Sequence, residues 1–379
     1  MSHPTEHASV PIDFCTLGMF IIDDIYPHKD TNQEPKLDVI GGAGTYSAIG
    51  ARLFSPPPQS RSVGWIVDAG TDFPDEVRST ISSWETGALI RQRPAPTTRG
   101  WNGYSGNQHR AFKYLTEKLR LTADDLTPDL AAARSFHLIC SPLRAIDQVE
   151  GVLSKTNAAG NASSEQANSP YASNSATLPL DQNAPKSGQT RSDSSTTAPR
   201  PIFIWEPVPD LCTPEELDNT LEALRHVDVI SPNHEELASI FSFTHPDVPS
   251  RSAIEDHAQR LLDSGIGPHK QGAVVVRAGA EGCFVLTATQ KQWLPAYHTD
   301  ASRVIDPTGG GNGMLGGLAV GLVRTDFDVV EAARWGSVAA SFTIEQVGMP
   351  VLTPADCDGE KWNGASVADR LVAYRARTT

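Results

Sequence analysis

The sequence predicts an α/β protein: a doubly wound, mainly parallel sheet with helices on both faces. Three observations carry that expectation. Apolar runs of strand length alternate with stretches of helical length along most of the 379 residues. The strand runs are almost continuously apolar, as in strands covered on both faces. A glycine-rich turn, Val304 to Gly313, leads into the apolar stretch Met314 to Val323, which is long enough for a buried helix.

Taken in order, the run Phe14 to Ile22 suits a buried strand that ends at Asp23-Asp24. Acids at the C-terminal edge of such a strand face the usual ligand crevice, although ordinary turn chemistry also places them there. Gly41-Gly42-Ala43-Gly44 then opens a helix over Thr45 to Phe54. Val63 to Phe73 reads as a strand and turn, and Pro94 to Tyr114 is rich in turn formers. A strand at Ser135 to Cys140 precedes a helix near Leu143 to Leu153.

From about 155 to 200 the composition shifts to Ser, Asn, Ala, Thr, Gln and Pro, with Tyr171 the only aromatic residue. Such a stretch buries too little apolar surface to offset its ordering entropy, which predicts a disordered insertion within the domain. Strand character resumes at Pro201 to Pro207, and Pro214-Glu215-Glu216-Leu217 opens the next helix. Val227 to Ile230 is a short strand, after which Asn233-x-x-Glu236 fits a reciprocal helix cap. Gly272 to Leu286 reads as two strands joined by a turn at Gly279 and Gly282. A small-residue helix over Ala332 to Thr343 contains Gly336 and Ser337, and Val367 to Val372 suits a terminal helix.

The net charge of −14, with no long Lys/Arg block, disfavours a nucleic-acid or anionic-membrane surface. No apolar run has membrane-spanning length, and the N-terminus lacks an apolar signal segment. Five scattered cysteines without a CxxC pair read as reduced thiols of a cytoplasmic protein. The run Gly309-Gly310-Gly311 entering a helix leaves backbone N–H groups facing one way at the positive end of the helix dipole. That suits an anion, and a tight strand-to-helix turn is the plainer alternative.

Asp306-Pro307-Thr308-Gly309-Gly310-Gly311-Asn312 resembles the Asp-Thr-x-Gly-Ala-Gly-Asp motif of the PfkB/ribokinase family of carbohydrate kinases. Its Gly-Gly-Gly-Asn ending is similar to a divergent fungal branch of that family. The resemblance extends over roughly residues 12–150 and 201–350. It implies a ribokinase-like domain over 12–352 with a small β-lid from about 24–40 and 95–115. The 155–200 insertion would lie inside that domain, and 353–379 would form a C-terminal tail.

The implied activity is ATP-dependent phosphorylation of a hydroxyl on a sugar, nucleoside or similar small molecule, in a protein that dimerises through the lid. By the same resemblance Gly309, Gly310 and Gly311 hold the transferring charge and Asp23, Gly41, Gly42 and Tyr46 contact the acceptor; in the lid region Arg99 or Arg110 would neutralise a substrate or phosphate charge, a solvated arginine being the plainer alternative. Asn233 and Glu236 organise Mg²⁺, Arg277, Gly279 and Gly282 border the ATP phosphates with Thr308, and Ser337 lies on the helix beside the adenine. Asp306 is placed near a monovalent cation such as K⁺.

Two positions depart from the pattern: Tyr46 replaces an Asn of ribokinase-type members, and Asn312 replaces the Asp that serves as general base. An amide is a far weaker base than a carboxylate. General-base catalysis contributes ~10²–10⁴-fold, so turnover is expected to be slowed and to rise in Asn312→Asp. A catalytically inactive protein that binds a nucleotide or metabolite in a regulatory role is the alternative.

Overall fold

The structure, a computed structural model, describes residues 10–27, 34–105, 109–167, 199–241, 249–356 and 359–378. In chain order its first half comprises β1 (Phe14–Thr16), β2 (Ile21–Ile25), β3 (Lys36–Gly41), α1 (Ala43–Leu53), β4 (Val63–Ala69) and α2 (Asp75–Ser83). Then follow β5 (Gly87–Gln92), β6 (Arg99–Ser105), β7 (His109–Tyr114), α3 (Pro128–Ala131), β8 (Ser135–Cys140) and α4 (Pro142–Ala167). The second half continues with β9 (Ile202–Pro207), α5 (Leu217–Leu224), β10 (Val229–Ile230), α6 (His234–Ile240), α7 (Arg251–Asp263), β11 (Ala273–Arg277) and β12 (Cys283–Leu286). It closes with β13 (Lys291–Leu294), α8 (Gly310–Arg324), α9 (Val329–Thr343), β14 (Leu352–Asp356), β15 (Gly359–Trp362) and α10 (Val367–Ala376).

Nine strands form the central sheet in the order β13-β12-β11-β10-β9-β8-β1-β4-β5. All neighbours from β11 to β5 run parallel, and the β11–β12–β13 meander is antiparallel. Alternation along each strand divides the core in two, because successive side chains point to opposite faces. Trp65, Val67, Ile204 and Val275 pack on the face covered by α1, α8 and α9. Ile66, Phe203, Trp205 and Val274 pack on the face covered by α4, α5 and α7. Both faces are therefore dry, as the near-continuous apolar strands require.

Four strands form a second sheet in the order β3-β2-β6-β7, beside the C-terminal edge of the first. Its origin corrects the first expected strand. The run Phe14 to Ile22 breaks after Thr16, and its second part joins the smaller sheet and continues through Asp23 and Asp24 to Ile25. At the break the Gly18 N–H donates to Thr16 Oγ1 at 2.9 Å. A Cβ on Gly18 would lie 2.7 Å from the Gly44 nitrogen, so the start of α1 seats against this bend.

Two further differences concern length. The helix expected near Leu143 to Leu153 runs to Ala167, so the first part of the expected disordered stretch is helical. Thr156 Oγ1 donates to the carbonyls of Val152 and Ala131, and Lys155 lies 3.6 Å from Asp124. Residues 168–198 of the expected insertion lie outside the described residues. The C-terminal stretch is also part of the fold, because Trp362 and Tyr374 are fully buried in the core beneath α9.

Candidate active site

Helix α8 begins at the C-terminal edge of the central sheet. Gly309 is its N-cap at φ +76°, a left-handed conformation natural to glycine, and a Cβ there would strike the Tyr46 ring at 2.2 Å. Tyr46 is thus packed across the turn, a close fit that explains a large ring at this position. Asp306 braces the approach, with its Oδ1 accepting from the Thr308 N–H at 3.0 Å and from Thr308 Oγ1 at 2.6 Å. The Gly310 N–H donates to Pro307 O at 3.2 Å, so of the three glycines this one has committed its amide to the turn. The first-turn amides beyond it, at Gly311 and Asn312, have no preceding helical carbonyl to receive them.

Behind that first turn lies a buried polar chain centred on Glu206, at the end of β9. Glu206 Oε2 accepts from Asn312 Nδ2 at 2.5 Å and faces His137 Nε2 at 3.1 Å, while Oε1 pairs with Arg277 Nη1 at 2.8 Å. His137 Nδ1 faces Thr16 Oγ1 at 3.1 Å, which carries the chain to β1. Burial opposes ionisation of Glu206, but the Arg277 charge and the His137 and Asn312 hydrogen bonds outweigh it and hold this carboxyl below its usual range. An ionised carboxylate only accepts hydrogen bonds, so Asn312 must present its NH₂ to Glu206. The amide oxygen is the Asn312 atom that Glu206 does not hold.

Arg277 closes the chain. Its Nη2 reaches Ser231 O at 3.0 Å and Glu236 Oε2 at 3.2 Å, and a Cβ on Gly311 would lie 2.1 Å from Nη1. Asn233 and Glu236 form the reciprocal cap of α6: Glu236 N donates to Asn233 Oδ1 at 2.8 Å and Asn233 N to Glu236 Oε2 at 2.7 Å. Burial pushes the Glu236 carboxyl up to about 6, against the opposing pull of Arg277.

In front of α8 lies a cavity of about 520 Å³ between the two sheets. It collects the expected residues Asp23, Gly42, Tyr46, Thr308, Gly309 and Asn312. The Asp23 carboxylate is wedged against backbone, since a Cβ on Gly41 would fall 1.9 Å from its Oδ2. Asp306, Gly310, Gly311, Asn233, Glu236, Arg277, Gly279 and Gly282 do not line this cavity.

Arg99 and Ser337 also lie outside the lining of this cavity. Arg99 Nε bonds Asp72 at 2.8 Å and Nη1 bonds Asp38 at 2.8 Å, so its charge is spent within the smaller sheet and the turn after β4. The Ser337 hydroxyl donates to Ala333 O at 2.9 Å and faces Cys283 Sγ, beneath α10. Sequence reading missed Glu206, His137, Thr16 and three cavity cations, Lys118, Arg120 and Arg144. Glu206 was within reach, being an acid at the end of an apolar strand, the same signal that marks Asp23.

The helices on both faces, the small second sheet and the glycine-opened helix at the sheet edge define a ribokinase-like α/β protein. Residues 206–355 match the pfkB family carbohydrate kinase description. The chain is 33% identical over 392 residues to Protein MAK32 of Saccharomyces cerevisiae, covering 99% of this chain and 94% of that protein. It is 31% identical over 385 residues to an uncharacterised protein of Schizosaccharomyces pombe, covering 97% and 94%. Solved structures similar to it include a putative ribokinase II from E. coli in complex with ATP and Mg²⁺, with TM-score 0.60 and 14% identity over 97% of this chain and 99% of that one. Another is the adenosine kinase of Sinorhizobium meliloti, with TM-score 0.62 and 16% identity over 97% and 100%. The chain belongs to the pfkB family of carbohydrate kinases.

Proposed function

We propose that the protein transfers the γ-phosphoryl group of ATP to a hydroxyl of a sugar, nucleoside or similar small molecule. The observation that carries this reading is the meeting of three parts on one cavity: the α8 opening, the Asn312 amide and the Asp23 carboxylate. Asp23 accepts hydrogen bonds from acceptor hydroxyls and fixes which of them faces α8. The first-turn amides of α8 take up negative charge on the transferring group. The Asn312 oxygen accepts a hydrogen bond from the attacking hydroxyl, with the amide kept in that orientation by Glu206.

In the transfer the acceptor oxygen forms a bond to phosphorus as the bond to the ADP oxygen breaks. Such transition states are loose and depend mainly on positioning and charge stabilisation. The hydroxyl proton can therefore leave late, to the transferred phosphoryl oxygens or to solvent, without passing to Asn312.

The residues present fit a triphosphate: free first-turn amides, the Arg277 guanidinium beside Gly311, and open space before Gly279 at φ +55°. Among the described residues no group of three His, Cys, Asp or Glu side chains could cage a metal. That agrees with Mg²⁺ held chiefly by phosphates and water, with Glu236 as the nearby carboxylate. Mg²⁺ so bound would neutralise charge on the phosphates. Arg277 is already paired with both Glu206 and Glu236, so neutralisation of the phosphates would fall chiefly to the metal and to the α8 amides.

Calorimetric titration with a non-hydrolysable ATP analogue and Mg²⁺ tests the nucleotide half. Gly311→Ala places a methyl group on Arg277 Nη1 and is expected to weaken binding roughly tenfold, the scale of one lost charge-assisted hydrogen bond. Analogue affinity unchanged by this variant would remove α8 from the phosphate site.

A further inference from the structure

We infer that the acceptor carries an anionic group of its own, a phosphate monoester, and that Lys118, Arg120 and Arg144 receive it; the inference rests on the kinase reading above. The three side chains come from different places, two from the segment after β7 and one from the first turn of α4, yet all line the cavity that holds Asp23 and Asn312. In a chain with 45 acidic against 31 basic residues, cations are usually matched. Arg91, Arg99, Arg277 and Arg324 each bind one or more carboxylates. By contrast, among the described residues no carboxylate lies within 4.0 Å of Lys118, Arg120 or Arg144.

Among the described residues no ion pair holds Lys118 or Arg144 in place. Lys118 Nζ lies 4.9 Å from the Tyr114 ring centroid, and Arg144 Nη2 donates to Leu121 O at 3.1 Å. Burial lowers the Lys118 pKa, the charges of Arg120 and Arg144 lower it further, and Asp210 opposes them. Tyr114 senses both Arg120 and Asp23, so the cationic group and the Asp23 carboxylate border one space. Three cations share this wall with Asp23 and Asp210 but pair with neither at contact distance, so a bound dianion would relieve their mutual repulsion, and guanidinium groups match phosphate oxygens in geometry. Asp23 and the Asn312 oxygen would bind hydroxyls at one part of the cavity while the cations bind phosphate at another. A sugar or polyol monophosphate has both groups.

The same cations could instead serve ATP, and the experiment separates the two sources. Equilibrium binding is measured without nucleotide for pairs of compounds: ribose and ribose 5-phosphate, fructose and fructose 6-phosphate, inositol and inositol monophosphate. At least one monophosphate should bind ten-fold or more tightly than its neutral partner, and less tightly as salt is raised. Lys118→Gln with Arg120→Gln, both exposed positions, should erase that advantage and leave affinity for the ATP analogue unchanged. Monophosphates that bind no better than neutral partners overturn the inference, as does a double variant that loses ATP analogue affinity instead. Failure of wild-type protein to bind the ATP analogue would count against the kinase reading, and this result is read independently of the monophosphate comparison.

Discussion

Asn312 cannot be understood by itself, because its side chain is half of a pair. Glu206 supplies a buried negative charge at 2.5 Å from the amide nitrogen, so the carboxylate missing from position 312 has a counterpart at the end of β9. This reverses the expectation for Asn312→Asp. Two full charges so close repel by about 4 kcal/mol or more at an effective dielectric near ~20. The pair would hold one proton between its carboxyls in place of providing a free base. Asn312→Asp is therefore expected to lower thermal stability and to show no ~10²-fold gain in turnover. Glu206→Gln with Asn312→Asp restores one donor facing one carboxylate and should recover much of the loss, a coupling of about 1–3 kcal/mol in a double-mutant cycle. A single Asp variant as stable as wild type, and faster, would contradict the pairing. Sequence exposed Asn312 because a motif surrounds it. Glu206 and His137 stayed hidden because their partners lie 106 and 121 residues away in the chain.

Local elements were legible where one stretch holds all the information. The Asn233–Glu236 cap, the Gly279–Gly282 turn and the glycine entry to α8 each follow from spacing within a few residues. The bend after Thr16 was not legible, because what stops that strand is the approach of Gly44 from α1. Gly309→Ala tests the α8 entry: the left-handed φ alone costs an alanine about 1–2 kcal/mol, and contact with Tyr46 adds to it, so denaturant stability should fall by at least that much. The α6 cap has a pH signature. Glu236 holds its proton up to about pH 6 in the fold, against a reference of 4.5. Its contribution to stability is full below pH 4.5 and is lost as pH rises through 6. Urea denaturation at pH 4.5 and 7.5 should show Glu236→Gln gaining about 2 kcal/mol on wild type over that interval. An unchanged difference between the two proteins would mean the carboxyl is not raised.

Across the whole molecule, composition foretold the doubly wound sheet but underrated the C-terminal stretch. Its polar sequence conceals a long-range anchor: Arg52 of α1 grips Glu360 of β15 through bonds of 2.6 and 2.8 Å, with the guanidinium over Trp362. The same guanidinium donates to Trp84 O and Ser55 O, so one arginine joins α1, the end of α2 and the C-terminal hairpin. Arg52→Ala leaves Glu360 without its counter-charge and should cost about 3–5 kcal/mol in thermal or denaturant unfolding. A loss under 1 kcal/mol would show that the C-terminal hairpin contributes little. No helix among the described residues is long and apolar enough to cross a membrane.

The central claim, phosphoryl transfer on the cavity shared by Asp23, Asn312 and α8, is tested most directly by following the γ-phosphate. Wild-type protein with Mg²⁺ and γ-labelled ATP is offered sugars, nucleosides, polyols and their monophosphates, beside an Asp23→Asn variant. The account predicts a labelled product from at least one acceptor, and a loss of roughly 10²-fold in kcat/KM in the variant, as expected when an acceptor-fixing carboxylate is removed. Label that never leaves ATP for any acceptor, in wild-type protein that still binds the nucleotide, would contradict it and leave a protein that only binds.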